Sequence, residues 1–219
     1  MRVLFKICLW TFWCLLLLLL PVALLLRGSL YFFQHVGLHT WVGLAAGGFL
    51  TFLLLLVYLC AANRKIFGRF RISKGILLGK AGLAALLILA VPGYALVSVS
   101  GTHVKAASAR QEFRSLHPYL RLGVGIVLLV DRDLLITDMA RSREEYVKMG
   151  LRAPRRSLHY PQRDGFVYAM DLRTRGRNTL RNGLLAWYFR LMGFNVLRHV
   201  GTADHLHISI SPRERPGAV

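Results

Sequence analysis

The sequence has 219 residues, of which 55% are hydrophobic, with a mean hydropathy of +0.46 and a formal net charge of +19. The chain is too apolar for an ordinary soluble domain and too short for a large transporter, which predicts a protein that is part membrane and part globular. The charge is divided unevenly: the first 100 residues carry 9 basic residues and no acid, whereas all 10 acids lie at Glu112 or later, among 20 basic residues.

Three uncharged runs predict membrane-spanning helices at about residues 7–26, 41–62 and 81–99. Each is close to the roughly 20 residues that a helix needs to cross a bilayer. A cleavable signal peptide is the alternative for the first run, because a short basic start precedes it. We favour an uncleaved span, since the run is long and bulky leucines at 24–26 stand where a cleavage site would need small residues.

Small residues in the second and third runs favour close helix packing, either within the chain or against another membrane protein. Lipid-facing positions are the alternative. Pro92 lies inside the third run, where a membrane helix tolerates it. The small residues are Ala45, Ala46, Gly47, Gly48, Gly82, Ala84 and Ala85.

Loop charge predicts the orientation of the spans. Residues 63–80 carry six basic residues, whereas residues 27–40 carry one. Because positive loops stay in the cytoplasm, we expect the N-terminus inside and everything after about residue 100 outside. The chain is thus divided into a membrane domain, 1–100, and an extracytoplasmic domain, 101–219. All three cysteines, Cys8, Cys14 and Cys60, precede that second domain, which excludes a disulfide or a Cys-ligated zinc there.

The pattern of the second domain predicts an α+β fold with a small antiparallel sheet. Its first half is predicted as a helical connector over 103–122, a β-hairpin formed by 124–130 and 134–137, and a helix over 142–150 with Ser142 as N-cap.

Its second half is predicted as strands over 166–172, 194–200 and 205–210, with an amphipathic helix over 179–192 and Gly193 after it. We expect one apolar stripe of that helix to face the core. The stripe consists of Leu180, Leu184, Tyr188 and Leu191.

Histidines and acids in the last third of the chain indicate a catalytic zinc site. His159, Asp171 and His207 supply two imidazoles and a carboxylate, and such a ligand set leaves one zinc position open for water. His205 and His207 would project from one face of a strand, so one can bind metal while the other handles a proton. Asp204 would need a bulge or turn to join them. Ordinary solvated histidines are the alternative.

Four motifs between about residues 120 and 211 carry a family resemblance. They are Ile136-Thr137-Asp138-Met139-Ala140-Arg141-Ser142, Ser157-x-His159, Gly165-x-x-x-Ala169-x-Asp171 and Asp204-x-x-His207. The series resembles that of the D-alanyl-D-alanine metallopeptidases, whose fold group includes lysostaphin-type murein hydrolases and the hedgehog signalling domain.

The resemblance implies that zinc is bound by His159, Asp171 and His207. It implies further that Arg141 holds the substrate or its oxyanion, with Ser157 also in the substrate site. The catalytic acid or base would be Asp204 in some branches of the family and His205 in others.

The spacing departs from the family between the first two ligands. Eleven residues separate His159 from Asp171, more than the family usually has. We interpret 160–165 as an inserted loop, because Ala169-Met170-Asp171-Leu172 keeps the strand-like end of the motif. Asp164 is the alternative ligand, and the site would be degenerate if neither carboxylate reached the metal.

The expected protein is a membrane-anchored zinc metallopeptidase of a bacterial cytoplasmic (inner) membrane, with its second domain periplasmic or extracytoplasmic. It would hydrolyse peptide bonds in the stem peptides of peptidoglycan, as a carboxypeptidase or an endopeptidase. A non-catalytic wall-binding or regulatory module on the same fold is the alternative.

Basic residues around the expected site favour an anionic partner, either a wall polymer or the lipid bilayer surface. A nucleic acid is not expected, because the domain should face away from the cytoplasm. The basic residues are Arg152, Arg155, Arg156, Arg163, Arg173, Arg175, Arg177 and Arg181.

Overall fold

The computed structural model describes residues 2–67, 73–97, 109–148, 150, 152–201 and 204–212. The chain divides into two compact units, Met1–Ala90 and Val91–Val219. The last turns of the third helix, residues 91–97, belong to the second unit.

Three long apolar helices come first, and each is long and apolar enough to cross a membrane. They are α1 (Arg2–Gln34), α2 (Thr40–Phe67) and α3 (Lys74–Val97). All three begin before the predicted runs, and α1 and α2 also continue beyond them, because flanking polar and charged residues continue a helix as readily as apolar ones. Arg27, predicted in a loop, therefore lies in α1. Residues 98–99, the predicted end of the third span, lie outside the described residues.

Helices α1 and α2 approach closely at Gly47, where the absence of a side chain leaves room for the contact. A Cβ atom added to Gly47 would lie 2.8 Å from the carbonyl oxygen of Leu25 and would also meet the Ser29 hydroxyl. Ser29 is fully buried and donates a hydrogen bond to that same carbonyl at 2.6 Å. At Gly82 of α3, by contrast, an added Cβ would meet no atom within 4 Å among the described residues. Close approach is therefore found at Gly47 and not at Gly82.

The second unit combines four helices with a small antiparallel sheet, in agreement with the predicted α+β class. The helices are α4 (Ala109–Ser115), α5 (Pro118–Leu128), α6 (Arg143–Lys148) and α7 (Thr179–Leu191). The strands are β1 (Ile136–Asp138), β2 (Ala169–Arg173), β3 (Asn195–His199) and β4 (His205–Ser209), in the sheet order β1-β2-β4-β3.

The predicted hairpin over 124–137 is wrong, because residues 124–128 continue α5. His117 caps this helix by accepting a hydrogen bond from the backbone N–H of Tyr119, and Pro118 occupies the first turn. The helix is buried on most sides, and a short buried helix has the same continuous apolar pattern as a buried strand. The connector predicted over 103–122 is interrupted at His117, and its first part, 103–108, lies outside the described residues.

Helix α7 begins where predicted and ends one residue earlier than predicted, at Leu191, but it buries a different face. Asn178 caps its start, and Gly193 follows its end with φ +95°. The stripe predicted to face the core is largely exposed, with Leu180 at 70% and Leu184 at 57%. The core instead receives the face that carries Leu185 and Phe189, and the Phe189 ring packs edge-on against Phe194 at the start of β3. The buried residues of α7 are Asn182, Leu185, Ala186 and Phe189.

The two faces of the sheet differ in chemistry because side chains alternate along each strand. Met170 and Leu172 of β2 point into the core and are 0% exposed. Asp171, between them, points to the opposite face together with its partner on β4, His207. Helix α7 packs against β3, and the Tyr188 hydroxyl of α7 donates to the Gly123 carbonyl of α5 at 3.1 Å. A helical layer thus covers one face of the sheet and leaves the other for polar groups.

We expect Gly47→Ala to lower the free energy of unfolding by about 1–3 kcal/mol, because the added methyl group overpacks the α1–α2 contact. Gly82→Ala is the matched control and should be neutral or slightly stabilising, since alanine is the better helix former. The measurement is a detergent unfolding titration followed by circular dichroism. Equal stability of the two variants would contradict the close contact at Gly47.

A buried ion pair ties the turn after α5 to the start of α7. The Arg177 side chain, 7% exposed, donates to both carboxylate oxygens of Asp131. Arg181 makes a comparable pair with Asp133 at 3.0 Å, but in this pair both side chains are exposed, Arg181 at 52% and Asp133 at 70%.

Removing Arg177 would leave the Asp131 carboxylate with only the exposed Arg181 guanidinium, 3.9 Å away, so we expect Arg177→Gln to destabilise the second unit by about 3 kcal/mol. Arg181→Gln should change it by less than about 1 kcal/mol. Native-state hydrogen exchange of the β2 and β4 amides measures both values in the full chain. A larger effect at Arg181 would refute this distinction.

Candidate metal centre

Two paired strand residues and one turn residue form the candidate centre. Asp171 of β2 lies opposite His207 of β4, so both side chains leave the same face of the sheet. His159 reaches them from the turn that follows Ser157. His159 Nε2 lies 3.3 Å from His207 Nδ1 and 3.6 Å from Asp171 Oδ1, and His207 Nδ1 lies 2.9 Å from Asp171 Oδ1. The three residues could therefore hold one metal ion.

The separations fit a tetrahedral metal. Zinc bonds of about 2.0–2.1 Å place neighbouring ligand atoms about 3.3 Å apart at tetrahedral angles. The three observed distances, from 2.9 to 3.6 Å, bracket that value. The residues present thus match zinc both in ligand type and in spacing.

His159 is fixed in the ring orientation and tautomer that a metal ligand needs. Its Nδ1–H donates to the Met139 carbonyl at 2.7 Å, which leaves the lone pair of Nε2 facing Asp171 and His207. Its backbone is held as well, since its carbonyl accepts from Arg141 N at 3.0 Å and its N–H donates to the Ser157 hydroxyl at 3.2 Å. Burial lowers the pKa of His159, which favours the neutral imidazole that binds metals.

Asp171 is buried but remains ionised. Burial raises the pKa of Asp171, but the hydrogen bond from His207 and the nearby imidazoles of His159 and His205 outweigh that effect and hold the pKa below its usual value. The anionic carboxylate that a zinc ligand requires is therefore the favoured form.

A β-bulge brings a second carboxylate to the site face. Ile136 pairs with Leu172 and Asp138 pairs with Asp171, so one extra residue of β1 lies between two consecutive residues of β2. The bulge re-aims Asp138, which would otherwise share the core-facing side of Ile136. Asp138 forms an ion pair with Arg141.

Arg141 is oriented by three neighbours. Besides its ion pair with Asp138, its guanidinium lies 5.2 Å from the centre of the Tyr146 ring, and its Nη2 lies 3.9 Å from Asp171 Oδ2. These contacts hold a permanent positive charge at the edge of the centre, where an anionic group of a substrate would meet it.

His205 and Asp204, the two candidates for the catalytic acid or base, lie in different surroundings. His205 Nε2 is 3.7 Å from Asp171 Oδ2, and its ring stacks on His199 of β3 with 4.8 Å between centroids. Asp204 instead accepts hydrogen bonds from Thr174 at 2.6 Å and from Arg198 at 3.1 Å, and these two bonds lower the pKa of Asp204. The side chain of Asp204 thus ties β4 to its neighbours.

Asp164, the alternative ligand, does not belong to the group. Residues 160–165 form a tight turn, with Gly165 at φ +79° and Gln162 N bonded to the Phe166 carbonyl. In that turn Asp164 accepts from Phe166 N at 3.1 Å and from the Tyr168 hydroxyl at 2.9 Å. Among the described residues, the carboxylate that joins the two histidines is that of Asp171.

The Ser157 hydroxyl lies 3.4 Å from that of Tyr146 and accepts from His159 N. In this structure Ser157 therefore positions His159, a residue of the candidate centre.

Sequence analysis gave no role to four contributors to the site. Asp138 and Met139 stand within the first motif, but the β-bulge and the backbone carbonyl through which they act have no sequence signal, and neither does the ring contact of Tyr146. The fourth, His199, could have been noticed only by pairing β3 with β4.

An open groove of about 730 Å³ lies beside the centre. Its lining includes three arginines, two glutamates and one tyrosine: Arg141, Arg143, Arg163, Glu112, Glu144 and Tyr160. The groove thus presents charges of both signs beside an aromatic ring.

Comparison of the chain with models of protein families, with curated proteins and with solved structures gives no match.

We expect Asp171→Asn to lower zinc affinity by about 100-fold or more, because loss of a direct ligand should exceed the 10–100-fold effect of losing an outer partner. Asp164→Asn is the matched control and should bind as the wild type does. Metal analysis and competition with a chelator, on the full chain in detergent, measure both. Equal zinc binding by the two variants would remove Asp171 from the ligand set.

Proposed function

We propose that this chain is a membrane-anchored zinc metallopeptidase whose extracytoplasmic domain hydrolyses peptide bonds in the stem peptides of peptidoglycan. One observation carries the proposal: His159, Asp171 and His207 converge on one point, with His205 and Arg141 at its edge. The motif resemblance assigns the same five residues to these roles.

Zinc is the metal favoured by the ligands. Two imidazoles and one carboxylate form a known catalytic zinc set, whereas magnesium and calcium prefer oxygen ligands throughout. A bound zinc ion would supply the Lewis acidity that activates water for attack on a carbonyl at neutral pH.

His205 is proposed as the group that carries the proton. Its side chain is 24% exposed, so it is open to water and substrate while its Nε2 lies 3.7 Å from Asp171. From this position it can take a proton from the attacking water and deliver it to the leaving amine. Asp204 is less suited, because its hydrogen bonds with Arg198 and Thr174 keep its pKa low and its oxygens engaged.

Arg141 is proposed to stabilise negative charge on the reacting peptide. A guanidinium held by Asp138 and Tyr146 needs little reorganisation when charge develops on the carbonyl oxygen, which is the condition for effective electrostatic catalysis. The same group could instead clamp a terminal carboxylate in a bidentate manner. The first role suits an endopeptidase and the second a carboxypeptidase.

The groove suits a peptide that carries both carboxylates and amino groups. Arg141, Arg143 and Arg163 line it and can each pair with a carboxylate, whereas Glu112 and Glu144 on the same lining can pair with an amino group. Stem peptides of the cell wall carry several such groups, and the predicted location outside the cytoplasmic membrane gives the domain access to them.

We expect His205→Asn to lower kcat on muropeptides by about 10²–10⁴-fold, the usual contribution of a general acid or base. Asp204→Asn should lower kcat by less than about 10-fold, since the Asp204 side chain bonds Thr174 and Arg198 and not the metal centre. The measurement is chromatography of muropeptide digests by the full chain, with the zinc content of each variant determined in parallel.

The reverse order of effects would assign the proton to Asp204. If the wild-type protein binds zinc but releases no product, the peptidase proposal is wrong and the non-catalytic wall-binding module is favoured.

A further inference from the structure

The outer face of α7 carries an apolar stripe that the fold of the second unit does not bury. Leu180, Leu184 and Trp187 are 70%, 57% and 54% exposed. Because they are four and three residues apart, they lie in line along one side of the helix. Large apolar groups exposed together in this way indicate a binding surface.

Arginines border the stripe on both sides. At 100° per residue, Arg181 and Arg190 lie on opposite flanks of the line from Leu180 to Trp187. Arg181 also pairs with Asp133, whereas both arginine side chains remain exposed to solvent. An apolar face that combines leucine with tryptophan and has arginine at its edges is the composition of helices that lie in the interface of a bilayer.

The end of the third apolar helix contacts the same helical layer. Arg121 of α5 donates from Nη1 to the Leu96 carbonyl at 3.1 Å, and a Cβ atom on Gly125 would lie 2.7 Å from that of Ala95. Both contacts are made within the unit Val91–Val219. Helix α5 in turn is hydrogen-bonded to α7 through Tyr188. Helix α7 therefore belongs to the helical layer that contacts the end of the third helix.

We propose that the Leu180-Leu184-Trp187 face of α7 rests on the surface of the bilayer that the three apolar helices are suited to span, with Arg190 contacting anionic headgroups. The stripe is then covered by lipid. The metal centre, on the sheet face opposite the helical layer, opens away from the bilayer. This docking does not depend on the metal centre or on the proposed hydrolysis.

The test places a spin label at position 184 of the full chain. Cys8, Cys14 and Cys60 are first replaced by serine, and Leu184→Cys is then labelled in vesicles of phosphatidylcholine and phosphatidylglycerol. Val147→Cys on α6 is the matched control, because Val147 is also apolar and 68% exposed but lies on the short helix that carries Tyr146, whose ring contacts Arg141 of the site. Collision of the label with oxygen, which concentrates in lipid, is compared with collision with a water-soluble nickel chelate.

We expect the oxygen-to-nickel ratio to be several-fold higher at 184 than at 147. Equal ratios would place the α7 face in water and overturn the proposal. Shielding of position 184 from both reagents would also overturn it, because a second copy or another protein would then cover the stripe. Leu180→Cys repeats the test if the label at 184 disturbs folding.

A second arm tests the charge. In the labelled Leu184→Cys protein, Arg190→Gln should reduce the ratio in vesicles that contain phosphatidylglycerol and leave it unchanged in pure phosphatidylcholine. The same ratio with and without Arg190 in both kinds of vesicle would refute the contact with anionic headgroups.

Discussion

The candidate site depends on the antiparallel pairing of β2 with β4. That pairing sets Asp171 directly opposite His207, and the same register puts Leu172 opposite Leu206 in the core. A slip of one residue would exchange the two faces, so that the carboxylate would enter the core and the leucines would enter the site. The apolar residues therefore fix the position of the polar ones, since burial of Met170, Leu172, Leu206 and Ile208 enforces the register.

Burial of the Asp171 carboxylate between two imidazoles costs free energy, and the neighbouring groups of the site offset that cost. An ionised Asp171 without partners would be costly at 5% exposure, and the hydrogen bond from His207 together with the nearby rings of His159 and His205 offsets that cost. The Met139 carbonyl then decides which nitrogen of His159 is available. A metal that joined these groups would replace one proton and keep the same arrangement of ligands.

The helical layer packs on the face of the sheet opposite the site. It covers the apolar core, contacts the end of α3 through Arg121 and exposes the outer stripe of α7. In the proposed arrangement, one face of the same small domain meets lipid while the other meets substrate. A polymer that lies beyond the membrane surface would then reach the centre without crossing the lipid-facing layer.

The sequence by itself determined the three apolar helices and the α+β class, because hydropathy and strand alternation are local signals. Its motifs also pointed to His159 and His207 and to one of two carboxylates, Asp164 or Asp171. Tertiary structure decided the rest. It made 124–128 helical rather than extended, since a continuous apolar run fits either state until its neighbours are known. It chose the Leu185–Phe189 face of α7 over the Leu180–Leu184 face, because both are apolar and only the sheet selects between them. It also decided that Asp171 rather than Asp164 joins the two histidines, and that His205 rather than Asp204 lies beside Asp171. The reason is that packing and strand register, and not the local sequence, set the position of a side chain relative to a distant strand.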